Sequence, residues 1–165
     1  MLSVSTVSAG AAASGYYKEE GYYQAGSPEA RDVAQWFGKA AAELGLSGRV
    51  DDETFTAFLE GHAPDGRLMG RIRGGEREHR PGVDLTFSAS KTASIAGLVL
   101  GDMRVIEAHD KAVRAAMSVV EERFVPTRWY ENGEEQRGRA VGIIAGIYRH
   151  DTSRALDPQL HRHAV

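Results

Sequence analysis

Tyr148-Arg149-His150-Asp151-Thr152-Ser153-Arg154-Ala155-Leu156-Asp157-Pro158-Gln159-Leu160-His161-Arg162-His163 is followed only by Ala164 and Val165 in the sequence, and its reading decides the fold. The run before it, Val141-Gly-Ile-Ile-Ala-Gly-Ile-Tyr148, is apolar and reads as a buried strand ending at His150. Asp151 to Pro158 is rich in turn formers and reverses the chain. Alternate residues of a strand share a face, so His161 and His163 present two imidazoles side by side, and the hairpin brings His150 towards them. Three neutral imidazoles with open positions make a divalent-metal site that retains its full charge, suited to Lewis-acid work on a phosphate or carbonyl oxygen. A His-x-His pair alone is equally compatible with surface or hydrogen-bonded core histidines. The third, turn-linked histidine is what favours a metal.

The other end of the chain reads Ser14-Gly-Tyr16-Tyr17-Lys-Glu-Glu-Gly-Tyr22-Tyr23, so four of the six tyrosines fall in one short segment. A phenol is a poor nucleophile at neutral pH. A metal that polarises a phosphodiester and a carboxylate that takes the proton make it usable. The structural alternative is an aromatic staple packing the start of a helix. Tyrosine pairs together with a histidine triad are a more specific combination than either alone.

At 165 residues the chain can bury one core, and a single domain over 1–165 with no second domain is expected. There is no cysteine, which excludes disulfides, thiolate metal sites and zinc fingers, and fits a reducing, cytoplasmic setting. No apolar run approaches a membrane span, so no membrane insertion is expected. The first residues superficially resemble a signal peptide but lack a basic start, the first positive side chain being Lys18. Leu2 to Val7 reads instead as an opening strand.

The net charge of −3 argues against a general polyanion binder, yet the charge is graded along the chain. Residues 16–60 hold nine acids and four bases, and residues 61–165 hold fourteen acids and sixteen bases. Arg67, Arg71, Arg73, Arg77 and Arg80 form the clearest basic stretch. It reads equally as a patch for phosphates or as a solvated loop.

Ser27-Pro28-Glu29 signals a helix start, and the spacing of Val33, Trp36, Phe37, Ala40, Ala41 and Leu44 predicts a helix to about Leu44, stopped by Gly45. A second helix begins near Asp51-Asp52-Glu53 and carries Phe55, Phe58 and Leu59. Trp36, Phe55 and Phe58 are expected core. Gly61 to Gly82 reads as a loop with one short strand around Leu68 to Ile72. Val83 to Ser88 alternates as a half-buried strand, with Asp84, Thr86 and Ser88 on one face, turned either to a site or to solvent. Asp102 to Arg123 is a helix with Met103, Ile106, Val113, Met117 and Val120 along its apolar face; His109 within it reads as packed rather than as a fourth ligand. Glu131-Asn132-Gly133-Glu134 is a hairpin turn leading to the strand that ends at His150. This order of elements points to an α+β fold, an antiparallel sheet covered by helices on one face.

Taken in order, Tyr16-Tyr17…Tyr22-Tyr23, Trp36-Phe-Gly-Lys-Ala-Ala, Leu44-Gly-Leu-Ser-Gly48, His79-Arg-Pro-Gly-Val-Asp84-Leu-Thr-Phe-Ser-Ala89, Ala108-His-Asp-Lys-Ala-Val113 and His150-Asp-Thr-Ser-Arg…Pro158-Gln-Leu-His-Arg-His163 resemble the conjugative relaxases of the TrwC/TraI (MobF) type. The resemblance runs from Met1 to Val165. It implies a His-x-His (HUH) relaxase fold related to rolling-circle initiators. It also implies metal-dependent, site- and strand-specific nicking of single-stranded plasmid DNA at a transfer origin. A tyrosine would attack the scissile phosphate, leaving a 5′-phosphotyrosyl link and a free 3′-hydroxyl for later strand transfer.

By this likeness His150, His161 and His163 hold the metal, Mg²⁺ or Mn²⁺, although three nitrogen ligands by themselves favour zinc, nickel or copper. The pairs Tyr16-Tyr17 and Tyr22-Tyr23 are catalytic candidates, Tyr16 for the first transfer and Tyr22 for a second. Asp84 accepts the phenol proton or orients a ligand histidine. Arg73, Arg77, Arg80, Lys91 and Arg154 are the candidate DNA contacts. Relaxosome accessory proteins and a secretion-system coupling protein are the implied partners.

The chain departs from the family at Ser90, where a proline is typical. The family's relaxase domain also continues well past the His-x-His strand, so the chain reads as the N-terminal portion of that domain, C-terminally truncated. A terminal strand is expected to fray and loosen two of the three ligands. Two other functions compete with nicking. One is a truncated, non-catalytic single-stranded DNA-binding remnant; the other is a metal-dependent hydrolase that activates water, with structural tyrosines.

Overall fold

The computed structural model of the protein describes residues 1–7 and 34–165. Its elements run β1 (Leu2–Val7), β2 (Gln35–Phe37), α1 (Lys39–Glu43), α2 (Asp52–Leu59), β3 (Arg71–Arg73), β4 (Glu76–Glu78) and β5 (Gly82–Ser88). Then follow α3 (Lys91–Ser94), continued by a π-helical turn over Ile95–Val99, α4 (Met103–Arg123), β6 (Pro126–Glu131), β7 (Glu134–Arg139), β8 (Ala145–Thr152) and β9 (Pro158–Ala164).

Five strands form one antiparallel sheet in the order β1-β5-β9-β8-β2. The last strand in sequence is therefore the middle strand in space. β9 is hydrogen-bonded on both sides, Ser88↔His161 to Leu85↔Ala164 with β5 and His150↔His161 to Ile147↔Ala164 with β8. The expected fraying does not fit this placement, because pairing on two sides satisfies both backbone edges of the ligand strand.

The sheet has two covered faces. On one, α4 lays Val113 and Met117 on Phe87, Ala145, Ile147 and Ala164, with Leu85 and Phe37 at the margin. On the other, Phe55, Phe58 and Leu59 of α2 pack with Val7, Trp36, Val50 and Tyr148. The α+β fold with an antiparallel sheet and packed helices is as expected, but helices lie on both faces rather than one. The second face carries Trp36, Tyr148 and Val7, too much apolar surface to leave in water. The rings meet edge-on or tilted, Phe55–Tyr148 at 5.2 Å and Trp36–Phe58 at 6.1 Å. Gly146 makes room for them: a Cβ there would come within 2.8 Å of the Tyr148 ring and 3.3 Å of Phe55.

Several local expectations change. The helix expected from Ser27 to Leu44 lies partly outside the described residues; within them, Gln35–Phe37 is a strand and only Lys39–Glu43 is helical. Trp36 and Phe37 thus serve opposite sheet faces instead of one helix stripe. Gly38 separates the two elements, with φ +115° and a Cβ position 2.0 Å from the Ile143 carbonyl oxygen, where no side chain fits. The loop expected over 61–82 contains the exposed ribbon β3–β4, two strands rather than one. The strand before His150 begins at Ala145, not Val141, and runs on to Thr152. The Asn132-Gly133 turn closes a separate ribbon, β6–β7. α4 and α2 start where expected, capped by Asp102 and Asp51. Met103, expected on the apolar face of α4, is exposed.

Candidate metal centre

The polar face of β5 and the imidazoles of β8 and β9 meet on the α2 side of the sheet, beyond Tyr148. His150 stands opposite His161 across the β8–β9 pair, and His163 is two residues further along the same face. The ring centroids are 5.2 Å apart for His150–His161, 4.7 Å for His150–His163 and 5.1 Å for His161–His163. One nitrogen from each ring lies within 4.8 Å of the others. Metal–imidazole bonds are about 2.0–2.1 Å long, so small side-chain rotations bring all three nitrogens onto one ion.

Hydrogen bonds fix how two of these rings present themselves. Asp84 accepts from His163 Nδ1, at 2.8 and 3.0 Å from its two oxygens. The Gln159 carbonyl accepts from His161 Nδ1 at 2.9 Å. With Nδ1 the donor in both, Nε2 keeps its lone pair for a ligand. Thr86 Oγ1 donates to Asp84 at 3.4 Å and lies 3.3 Å from His163 Nδ1. The polar face of Val83–Ser88 therefore looks into a site rather than to solvent, and Asp84 is buried there.

Burial also sets the charge state. It pushes the His150 imidazolium down to about 3, helped by the neighbouring His163 and His161 and by Arg162. His161 is lowered as well, again mainly by burial, with the Gln159 carbonyl partly opposing it. Neutral imidazoles are the form that binds a metal, so His150 and His161 are ready to take a divalent cation without first losing a proton. Three nitrogen donors suit zinc, nickel or copper more readily than Mg²⁺ or Mn²⁺, which prefer oxygen.

The other sequence candidates fall elsewhere. Tyr16, Tyr17, Tyr22 and Tyr23 lie outside the described residues. Arg73 and Arg77 are on the β3–β4 ribbon and Arg80 just after it. Arg77 donates to the Leu68 and Met69 carbonyls at 3.3 and 3.4 Å, while Arg73 is 3.8 Å from Glu78. Arg80 lines a recess of about 440 Å³ with Arg71, Glu78 and His79, to which β6 contributes Arg128. Lys91 donates to the Pro158 carbonyl at 3.2 Å, and Arg154 is exposed in the β8–β9 turn, both at the approach to the ligand strand. His109 sits on α4, outside the triad. Burial lowers its proton affinity, with Arg162 adding to the effect.

Two groups that hold the ligand strand escaped the sequence reading. Ser94, fully buried on α3, accepts from the Leu160 N–H at 3.0 Å and donates to the Ser90 carbonyl at 3.0 Å. Ala89 N–H donates to the Leu160 carbonyl at 3.0 Å, so both backbone groups of the residue before His161 are held by the segment after β5. Ser90 caps α3 by accepting from Ala93 N–H at 3.1 Å. The second is Arg162, between the two ligand histidines and pointing the other way.

Comparison with known proteins agrees with this geometry. The family model for the TrwC relaxase matches residues 9–165. The multifunctional conjugation protein TraI of Escherichia coli is 43% identical over 166 residues, covering all of this chain and 9% of TraI; that of strain K12 is 42% identical over the same span. Among solved structures, the conjugative relaxase TrwC in complex with oriT DNA, metal-bound, superposes with a TM-score of 0.85 at 38% identity, over all of this chain and 56% of that one. TrwC complexed with a 27-mer DNA comprising the recognition hairpin and the cleavage site gives 0.83 at 36% identity, over all of this chain and 54% of that one. The chain thus spans about a tenth of the TraI proteins and just over half of the TrwC chains. Among the described residues no helix is long and apolar enough to cross a membrane. With three histidines on the inner strands of an antiparallel sheet and a family match over nearly its whole length, the chain belongs to the TrwC relaxase family.

Proposed function

We propose that this chain is the N-terminal portion of a single conjugative relaxase domain that nicks single-stranded plasmid DNA at a transfer origin. The observation that carries the reading is the histidine triad backed by Asp84, in a chain of this family. His150, His161 and His163 would hold a divalent cation, Mn²⁺ or Mg²⁺ in the cell. Such a cation supplies positive charge for the non-bridging oxygens of the scissile phosphate.

Tyr16 attacks the phosphorus. A bond forms between its phenolic oxygen and phosphorus as the bond to the 3′ oxygen breaks. The product is a 5′-phosphotyrosyl link, and the proton lost by the phenol ends on the released 3′-hydroxyl. Tyr22 serves a second transfer, with Tyr17 and Tyr23 as their neighbours in each pair. Both oxygens of Asp84 lie at His163 Nδ1, which supports an orienting role more than direct receipt of the phenol proton. The three ligands are themselves uncharged imidazoles, and the Asp84 carboxylate stands behind His163 rather than at the ion, so most of the charge of the ion would be left for the phosphate.

Arg73, Arg77, Arg80, Lys91 and Arg154 are the proposed contacts to the DNA backbone. The reaction is assigned to the cytoplasm, with relaxosome accessory proteins and a secretion-system coupling protein as partners. Covalent trapping tests the reading. Labelled single-stranded plasmid-origin DNA with Mn²⁺ should give a protein–DNA adduct on a denaturing gel, lost in Tyr16→Phe. DNA binding with no adduct under any divalent ion would mean a non-catalytic binding segment instead. Cleavage without an adduct that survives Tyr16→Phe would mean that water is the nucleophile.

A further inference from the structure

We propose that Arg162 is a positioning residue for the metal ligands, acting through its ion pair with Asp110. The proposal rests on reading the three histidines as a metal centre. Arg162 lies between His161 and His163 on β9, so the alternation of the strand sends its side chain to the opposite face. There it is 1% exposed, between Leu160 and Ala164, and its guanidinium pairs with Asp110 of α4.

A cation buried to 1% exposure against a carboxylate that keeps 39% of its side chain exposed is an unusual choice for stability, since apolar residues of similar volume often do as well or better. What it supplies is direction: the guanidinium nitrogens make no hydrogen bond among the described residues, and the attraction to Asp110 is what draws the buried side chain towards α4. Its neighbour sharpens the point. Arg162 is in register with Arg149 of β8, a like-charged pair directly opposite across the strands. The two are drawn apart by different carboxylates. Arg149 bonds to Asp151 on its own strand at 2.7 and 2.8 Å, and Arg162 turns off the sheet to α4. β9 is therefore tied to the helix behind it at the one residue that separates its two ligands. With both edges of β9 paired, what is left free is the local tilt of the strand at Arg162, and a small tilt there would shift His161 and His163 together relative to His150, across the 5.2 and 4.7 Å ring separations.

Co²⁺ titrated into the metal-free 165-residue chain tests this, because its visible spectrum reports coordination geometry as well as affinity. Arg162→Met removes a positive charge and Asp110→Asn removes a negative one. A pure charge effect would tighten Co²⁺ in the first and weaken it in the second, with the spectrum unchanged. Positioning predicts that both bind Co²⁺ roughly 10–100-fold more weakly, with altered band positions and intensities. Arg162→Lys, which keeps the charge but not the planar fork, should also alter the spectrum, and it serves if Arg162→Met does not fold. The opposite charge shifts with a constant spectrum would overturn the proposal. So would lowered melting temperatures with wild-type affinity and spectrum. Failure of the unaltered chain to bind Co²⁺ would remove the metal centre itself, and is recognised in that arm alone.

Discussion

Asp84 on β5 and His163 on β9 are joined by a carboxylate–imidazole hydrogen bond although they are not paired in register. His163 stands opposite Thr86, and Asp84 reaches it from two residues away along the strand, with its oxygens 2.8 and 3.0 Å from Nδ1. The bond makes Nδ1 the donor, fixes the orientation of the ring and leaves the Nε2 lone pair for a metal. Asp84→Ala should therefore weaken Mn²⁺ binding about 10–100-fold, measured by titration calorimetry. Asp84→Asn should fall between, because its amide oxygen still accepts from Nδ1 but brings no charge. Equal affinity in all three proteins would show that Asp84 does not tune the histidine.

Burial of His150 makes the metal-free fold sensitive to acid. Its folded-state value is pushed from 6.5 down to about 3. Between those values the unfolded chain holds a proton that the folded chain does not. The contribution is present above pH 6.5 and is lost progressively as pH falls towards 3, with His161 acting in the same direction. Each such proton tilts stability by at most about 1.4 kcal/mol per pH unit. Urea unfolding at pH 7 and pH 5 should show a drop that shrinks in His150→Gln. A drop of the same size in both would assign the acid sensitivity to other groups.

The alternation of Val83 to Ser88 and the spacing of His150, His161 and His163 made the centre of the sheet and the site legible in sequence, because a two-residue period fixes which side chains share a face. The same period placed Arg162 on the reverse face, but nothing local says that a charged side chain there meets Asp110, a partner from a separate helix. Gln35–Phe37 is a strand despite its helical spacing, because apolar positions so spaced also fit a short strand followed by a short helix. The deciding contacts are its pairing with Ala145–Ile147 and the approach of Gly38 to Ile143, both distant in sequence. The β3–β4 ribbon has no buried face, all its residues being exposed, so it left no hydrophobic period to find.

Ser94→Ala should destabilise the fold by about 1–3 kcal/mol, because it leaves the buried Leu160 N–H without its 3.0 Å partner. Denaturant titration would measure it. A change within about 0.5 kcal/mol, as for ordinary surface substitutions, would mean that the N–H finds another acceptor.

Gly146→Ala tests the aromatic packing beside the site. The new methyl would meet the Tyr148 ring at 2.8 Å and Phe55 at 3.3 Å, so the rings must shift or the strand must bend. Overpacking of this kind costs about 1–3 kcal/mol. Because Tyr148 neighbours His163 in register, the strain should also reach the triad and lower Mn²⁺ affinity along with the melting temperature. Lowered stability with unaltered Mn²⁺ binding would show that the aromatic cluster and the histidines are mechanically separate.

The basic ribbon offers a test independent of the metal. Arg73 is only loosely paired, 3.8 Å from Glu78, and Arg80 is exposed at the recess it lines with Arg71 and Arg128. If both touch phosphates, Arg73→Ala with Arg80→Ala should weaken binding to single-stranded DNA at low salt. It should also flatten the plot of log affinity against log salt by roughly 0.7 per lost contact. Fluorescence anisotropy over a range of salt concentrations, without divalent ions, separates this from any effect on the histidines. An unchanged slope with intact folding would mean that these arginines are solvated surface charges. Loss of affinity with no change in slope would mean that they act through the shape of the ribbon rather than by contacting phosphates.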